Sequence, residues 1–467
     1  MSDLVGRLRA HLGDDAVLEA SEAAQAGPGF GRLGTPVAIV RPKSTSQVAA
    51  VLRLCHEAGQ AVVPWGGRTG LVEGTFADGA IALSLERMNR INDINTDDAT
   101  MLVEAGCVLQ SVCEAADSKD LFFPLDLGAR GSATIGGNIS TNAGGNRVIR
   151  YGMMRELVLG LEAVLADGTI VSSLNHLIKN NAGYDLKQIF IGSEGTLGIV
   201  TQAVLRLRPK PASQNMSLLA VDGFAQLPRI LRNVERGLGG TLSAFEVMWE
   251  DFYRLVTTPP ALGRPPLPYG HSYYVLVEAL GGDQADDTAR FERVLTAELE
   301  KHEIADAVLA NSKAECDRLW ALRDDVQQVW RLAPVFIFDV SLRIGEMESF
   351  AREVREALLS CWPTAALMIF GHMGDGNLHL IALVGDGGDE ARKIVEGIIY
   401  GALQTRGGSI SAEHGIGLEK RAYLSCSRNP EEIALMRALK RSLDPRNILN
   451  PGKIFPNDAG ELVDDHR

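Results

Sequence analysis

The chain has 467 residues, 22% of them charged, 46% hydrophobic and 6% aromatic, which is globular composition with length for two or three domains. Lys and Arg number 46 against 59 Asp and Glu, a formal net charge of −13, and this argues against a phosphate-neutralising surface for nucleic acid. Six scattered cysteines with no CxxC pair read as reduced thiols rather than a disulfide framework. The N-terminus, MSDLVGRLRAHLGDD, carries charges where a signal peptide has its apolar run, and no stretch reaches ~18 apolar residues. The expectation is a cytoplasmic protein without a transmembrane segment. Glycine stands out at 49 residues, where ~7% of the chain would be usual. Such an excess means either disorder or many positions of positive φ or close backbone approach.

In chain order, Val37 to Val40 reads as a strand. Ser44 follows as a helix N-cap with Gln47 at capping-box spacing. Val48, Val51, Leu52 and Cys55 recur as one buried helix face, and Gly59 ends the helix. Ala61 to Val63 is the next strand, so residues 37–63 form a β-α-β unit that runs into a glycine-rich turn. Near Pro209-Lys210-Pro211 the character changes to α+β, with helices near 285–300 and 347–360 and strands at 273–279 and 335–342. The prolines at 259–268 mark a surface loop. From Glu431 a helix leads to Asp444-Pro445 and Asn450-Pro451-Gly452-Lys453. These boundaries suggest a first domain at 1–210, a second at 211–425 and a C-terminal segment, 426–467, that returns to the first.

Three glycine clusters fall in the first 200 residues: PWGGRTGLVEG at 64–74, GSATIGGN to NAGG at 131–145, and GSEGTLG at 192–198. Neither G-x-G-x-x-G nor G-x-x-x-x-G-K-[ST] occurs, which argues against a Rossmann site and a P-loop. Gly, Ser, Thr and Asn after strands still suit a nest of backbone N–H groups around a pyrophosphate, with no Lys or Arg required.

These runs, with Tyr151-Gly152 and the terminal NPGK, resemble the vanillyl-alcohol-oxidase-type (PCMH-type) FAD-binding family over residues 36 to 456. The resemblance implies an α+β protein: a PCMH-type FAD-binding domain of two α+β subdomains, plus an α+β cap domain with an antiparallel sheet. It also implies that Gly66, Gly67, Arg68, Thr69 and Gly70, flanked by Pro64 and Leu71, cradle the pyrophosphate. Gly131, Ser132, Thr134, Gly136, Gly137, Asn138, Thr141 and Asn142 would line the cofactor opposite, with Pro124. Glu194, Gly198 and Ile199 would reach the adenosine side and Asn450 the flavin ring. Loop 64–74 has no His or Cys, so the FAD is expected to be non-covalent.

A second constellation is GHMGDGNLH at 371–379. Asp375-Gly376 is a strong hairpin signal. A two-residue loop there would set His372 opposite His379, with Cβ atoms ~5 Å apart on one face. Two imidazoles could then share one cation at ~2.0–2.1 Å each, with Asn377 on the same face. Buried, hydrogen-bonded histidines are the other reading of the pair. Ser411-Ala412-Glu413-His414-Gly415 adds a carboxylate and a third His, giving a divalent ligand set suited to Zn, Mn or Fe.

GHMGDGNLH and SAEHGIG together resemble the branch that oxidises D-2-hydroxy acids, the D-lactate, D-2-hydroxyglutarate and glycolate dehydrogenases. Carried over, His372, His379 and Glu413 would be metal ligands and His414 the general base. The metal would polarise the substrate hydroxyl, and hydride would pass to flavin N5. Arg323 sits where the family has its substrate arginine. Asn377 and, more weakly, Arg343 are further substrate candidates. Some positions depart from the pattern: Ile337 replaces a Lys, and Gln327 and Ile381 stand near a Thr and an Asn of the hydroxyglutarate-oxidising members. They weigh against 2-hydroxyglutarate in particular. The expected partners are a small 2-hydroxy acid and an electron acceptor (electron-transfer flavoprotein, quinone or cytochrome), in a chain that could form a homodimer. A non-catalytic flavin-binding subunit of an electron-transfer complex is the alternative, and a flavin-free metal hydrolase a third.

Overall fold

The computed structural model describes residues 2–19 and 32–456. The chain divides into two compact units. One comprises Met1–Gly144, Met153–Lys210 and Glu413–Arg467, and the other Gly145–Gly152 and Pro211–Ala412. In this division the returning segment starts at Glu413, where the sequence places it at 426, and eight residues of the first half are lent to the second unit.

Among the described residues the first unit holds a four-stranded sheet, a five-stranded sheet and a two-stranded one that pairs Leu121–Phe122 with Arg208–Pro209. In the first sheet, strands Ala38–Val40 and Val62–Trp65 both run parallel to Ile81–Ser84, which lies between them. Helix Thr45–Ala58 joins Ala38–Val40 to Val62–Trp65, and Val17–Leu18 pairs antiparallel with the former. Ser44 caps it by accepting from the Gln47 amide at 3.3 Å, Gln47 Oε1 accepts from the Lys43 amide at 2.9 Å, and Gly59 terminates it at φ 65°. Val48, Val51, Leu52 and Cys55 are fully buried, as their spacing requires. The second sheet is antiparallel, in the order Ile91–Asn95, Thr100–Glu104, Ile199–Arg206, Val158–Val164, Ile170–Ser173. The C-terminal segment adds to the edge of the first sheet: the Val62 amide donates to Ile448 O at 2.7 Å and the Asn450 amide to Val62 O at 2.8 Å.

The second unit is built on a seven-stranded antiparallel sheet. Its order is Asp306–Leu309, Ser213–Val221, Tyr273–Gly281, Leu242–Trp249, Ala366–Gly371, Asn377–Leu383, Phe336–Ser341. The register pairs Glu278 with Ala244, Glu246 with Leu276, Met248 with Phe370, Phe370 with His379, and His379 with Asp339. Opposed residues share a face and alternate residues do too. Glu278, Glu246, His379, Asp339 and Asn377 therefore stand on one face, among the apolar side chains of Met248, Tyr274, Leu276, Phe370 and Ile381.

Helix Lys313–Asp324 supplies donors to two of those carboxylates. Trp320 and Arg323, at i and i+3, lie on one side of the helix. Trp320 Nε1 donates to Glu278 Oε1 at 3.0 Å and Arg323 Nε to Glu246 Oε2 at 2.8 Å. Glu278 is completely buried, and it also accepts from Arg147 Nε at 2.8 Å, Ser243 Oγ at 2.7 Å and Gln214 Nε2 at 2.9 Å. Arg147 belongs to the segment Gly145–Gly152, so this ion pair fastens that segment to the sheet. Burial alone would push the Glu278 carboxyl up, but the Arg147 charge and the hydrogen bonds hold it below its ordinary value.

Arg147→Met would leave that carboxylate buried without its cation, a loss of about 3–5 kcal/mol at pH 7. Because the folded pKa of Glu278 is depressed, the wild-type pair stabilises above the ordinary carboxylate pKa and fades as pH falls below it. The gap between variant and wild type should therefore narrow in acid. Urea unfolding at pH 7 and pH 4 checks this, and equal stability at pH 7 would contradict it.

Candidate active site

In the first unit the turn after Val62–Trp65 meets the start of helix Ile135–Thr141. A Cβ on Gly67 would overlap the Ser132 carbonyl oxygen, and one on Gly66 would overlap Thr134 Oγ1. Only glycine lets the two loops approach this closely. The backbone amides of Gly66, Gly67, Thr69, Gly70 and Leu71 find no acceptor among the described residues. Such a run of amide donors, with Gly70, Gly131 and Ser132 exposed beside it, is the chemistry a diphosphate needs, and FAD fits it. Arg68 adopts φ 55° and lies over the Trp65 ring at 5.3 Å. Asn138 is buried with Oδ1 unpartnered.

Other expected cofactor residues are held by the protein itself. Gly136 packs on Ala105 and Gly198 on Phe190, where a Cβ would come within 2.8 and 2.7 Å. Thr141 donates to Gly137 O at 3.0 Å, and Asn142 Oδ1 accepts from the Arg155 amide at 2.9 Å. Pro64, Pro124 and Ile199 lie in or beside strands, Pro64 against Gly195. The Glu194 carboxylate does not face outward. It accepts from the amides of Ile416 at 2.7 Å and Gly417 at 2.8 Å, and so pins the turn that carries His414. Burial holds this carboxyl above its ordinary value, against the pull of those amides and of Lys420 and Lys453. Asn450 ties Gly74 O and Glu194 O together through Nδ2, at 3.1 and 2.8 Å, while its buried Oδ1 has no partner.

In the second unit the hairpin differs from the two-residue loop expected. Its strands end at Gly371 and begin again at Asn377, around a 3-10 turn at Met373–Asp375 with Gly376 at φ 91°. The amides of Asp375 and Asn377 both donate to His372 O, at 3.2 Å each, and this closes a wider turn than Asp-Gly alone would. His379 consequently faces Phe370 across the ladder, and His372 lies beyond the strand end. The imidazoles still converge, with centroids 5.4 Å apart and ring nitrogens within 4.8 Å. Asn377 Nδ2 donates to Asp339 Oδ1 at 2.7 Å and to Val340 O at 3.0 Å, and its Oδ1 is buried without a partner. Two converging imidazoles beside an unpartnered carbonyl oxygen fit a divalent cation and its oxygen ligands. Asp339 also accepts from the Ala412 amide at 3.1 Å; Glu413 and His414 are the next two residues of the chain and belong to the first unit.

Arg323 is not a solvated helix residue. It is 5% exposed, and Glu246 holds both it and His372, accepting from Arg323 Nε and from His372 Nδ1 at 2.8 Å each. Burial pushes the Glu246 carboxyl up, but His372 and Arg323 outweigh it and hold it low. Arg343 is mostly exposed on a turn and paired with Glu346, outside this cluster. Glu246 was missed from sequence; its signal is a lone carboxylate in the apolar run Leu242–Trp249, which a buried strand tolerates only when paired. Ile381 is buried in the apolar cluster and Ile337, opposite it in the register, is exposed.

Among the described residues no helix is long and apolar enough to cross a membrane. Residues 36–173 match the FAD binding domain family, and residues 210–454 the family of FAD linked oxidases, C-terminal domain. The chain is 43% identical over 426 residues to the D-2-hydroxyglutarate dehydrogenase of Xanthomonas citri pv. viticola, covering 90% of this chain and 89% of that one. It is 39% identical over 429 residues to the mitochondrial D-2-hydroxyglutarate dehydrogenase of Bos taurus, covering 91% and 78%. These names run against the expectation drawn from Gln327, Ile337 and Ile381. A solved structure of p-cresol methylhydroxylase with substrate bound superposes with a TM-score of 0.78 at 18% identity, over 98% of each chain, and shows the same fold. Two family matches in series and close relatives along nine-tenths of its length show that the chain belongs to the FAD-linked oxidases, as a PCMH-type flavoprotein oxidoreductase.

Proposed function

We propose that the protein oxidises D-2-hydroxyglutarate to its 2-oxo acid. The observation that carries this reading is the buried group Arg323–Glu246–His372 beside His379, in a chain 43% identical to a dehydrogenase named for that substrate. FAD, held non-covalently, would accept the two electrons, and a divalent cation, zinc or else manganese or iron, would act as Lewis acid on the substrate oxygens. The Gly66–Leu71 amides would hold the pyrophosphate, while His372, His379 and Glu413 would hold the cation.

The remaining roles belong to side chains of this protein. A guanidinium matches a carboxylate in bidentate geometry, so Arg323 would bind and orient the acid. Asn377 Oδ1 is an acceptor placed to orient a hydroxyl or a metal-bound water. His414 would take the hydroxyl proton, as an imidazole can near neutral pH. The Glu194 carboxylate would set the height of that base, because it binds the two amides that follow Gly415. A non-catalytic subunit would have no use for Arg323, His372, His379, Glu413 and His414 together, and this favours the enzyme.

Anaerobic D-2-hydroxyglutarate should bleach the flavin, while the L enantiomer and D-lactate should do so far more slowly. Bleaching by D-lactate alone would reassign the substrate. His414→Ala should keep its yellow colour and slow bleaching by about 10²- to 10⁴-fold; a wild-type rate would remove it as the base. His372→Ala should lose bound metal and activity together, as chelation of the wild type should, with zinc read by atomic absorption. Full activity without metal would refute the cation site.

A further inference from the structure

Lys453, in the C-terminal NPGK run, is 5% exposed and its side chain makes one hydrogen bond, from Nζ to Phe76 O at 2.7 Å. Among the described residues no carboxylate lies within ion-pair distance of Nζ. The two acids nearest in effect, Glu73 and Glu194, are committed elsewhere. Glu73 accepts from Arg32 Nε and Nη2 at 2.6 and 2.7 Å, and Glu194 accepts from the Ile416 and Gly417 amides. Burial and the nearby Arg421 lower the Lys453 ammonium to about 8, against the pull of Glu73 and Glu194, so it is largely charged at neutral pH. A buried ammonium met by a single carbonyl is short of counter-charge, a cost that a bound electron-rich group removes.

Asn450, three residues away, has the opposite need. Its Nδ2 donates to Gly74 O and Glu194 O, which fixes the amide, since the flipped amide would set Oδ1 against two acceptors. Oδ1 is left buried with no donor. Both side chains anchor on one short stretch, Gly74 to Phe76, at the end of the turn whose amides suit a diphosphate. The protein thus offers a cationic donor and a neutral acceptor together. A diphosphate satisfies only the first, because at neutral pH it has no proton to give Oδ1. A cyclic imide satisfies both, through its N–H and the adjacent C=O, and the pyrimidine ring of a flavin carries that edge as N3–H and C2=O. We propose that Asn450 Oδ1 accepts from flavin N3–H and that Lys453 lies against flavin C2=O, where it stabilises the reduced ring. Hydride transfer moves two electrons and one proton from the substrate carbon to N5, and the hydroxyl proton goes to the base. The flavin then keeps one negative charge, spread over N1 and C2=O. The ammonium meets a charge that develops only on reduction, so it lowers the barrier to hydride transfer as well as holding the ring. This inference rests on the FAD reading and on nothing about the substrate.

The test uses the full-length protein reconstituted with FAD, with sulfite as the probe. Sulfite adds through sulfur to N5 and leaves the same negative charge at N1 and C2=O, with no substrate or metal needed. Lys453→Met should bind sulfite about 10²- to 10³-fold more weakly than the wild type, the loss that follows removal of one donor from an oxyanion site. The two-electron potential of the flavin should fall with it, by about 60–90 mV at ~30 mV per tenfold. Lys453→Arg, which keeps the charge, should restore most of both. FAD methylated at N3 should bind the wild type about 10- to 100-fold more weakly than FAD, because the buried Oδ1 then has no donor. A Lys453 that serves only the packing of the turn would cost flavin content in Lys453→Met yet leave the sulfite affinity and potential of the bound flavin unchanged, and that result would overturn the proposal. Equal binding of FAD and its N3-methyl form would overturn it too. A wild type that takes up no flavin at all would instead sink the FAD reading beneath it.

Discussion

A carboxylate inside an apolar sheet must be met by cations or hydrogen-bond donors, since an unpaired buried charge costs more than a domain's stability margin tolerates. The second unit places Glu246, Glu278 and Asp339 on one face of its sheet, each at most 1% exposed. Their partners explain much of what surrounds them. Glu278 draws in Arg147 and Trp320, Glu246 draws in Arg323 and His372, and Asp339 orients Asn377 and receives the Ala412 amide. Helix Lys313–Asp324 answers two of the three through residues one turn apart. The candidate cluster is thus the solution to a burial problem, with each acid held by the partners its burial requires.

The first unit meets a different constraint, the close approach of backbone to backbone. Gly66 and Gly67 let one turn touch the loop before helix Ile135–Thr141, and the amides along that turn are left for a ligand. Here too a buried carboxylate organises its neighbours. Glu194 gathers the Ile416 and Gly417 amides with its side chain, and its own carbonyl receives Asn450. The three motifs read separately as GSEGTLG, SAEHGIG and NPGK are therefore one hydrogen-bonded knot. Glu194 serves the turn bearing His414 more directly than it could serve an adenosine.

Much of the fold was legible because it rests on short-range rules. The Ser44 cap, the Val48–Cys55 face and the Gly59 terminus follow from spacing within one helix, and all three are observed. The hairpin shows where such rules stop. Asp375-Gly376 promised a two-residue loop, but the chain closes a wider turn on the His372 carbonyl, and the register moves so that His379 faces Phe370. The two rings converge regardless, because His372 follows by two residues the Phe370 that faces His379, and alternate residues share a face. Arg343, the weaker substrate candidate, sits on the surface; Glu246, in none of the motifs, stands at the centre of the cluster. A residue that works through another leaves little trace in a motif, whereas a residue that touches a ligand often leaves one.

The sequence by itself determined the family, the glycine-rich loops and the residue types of the candidate site. These are set by contiguous chemistry: amide-rich turns for phosphate, imidazoles and carboxylates for a cation. It also held, unread, the sign of the buried centres, single acids within LSAFEVMW, YYVLVEALG and FIFDVS. Only the tertiary structure decided which donors meet those acids, since Glu246 and His372 lie 126 residues apart and Arg147 and Glu278 lie 131 apart. Pairing across such distances depends on strand order and helix placement, which local sequence does not encode. The glycine excess that first suggested either disorder or close approach is resolved in the same way: the Gly66–Gly67 turn is ordered, and only the packed structure shows what it approaches.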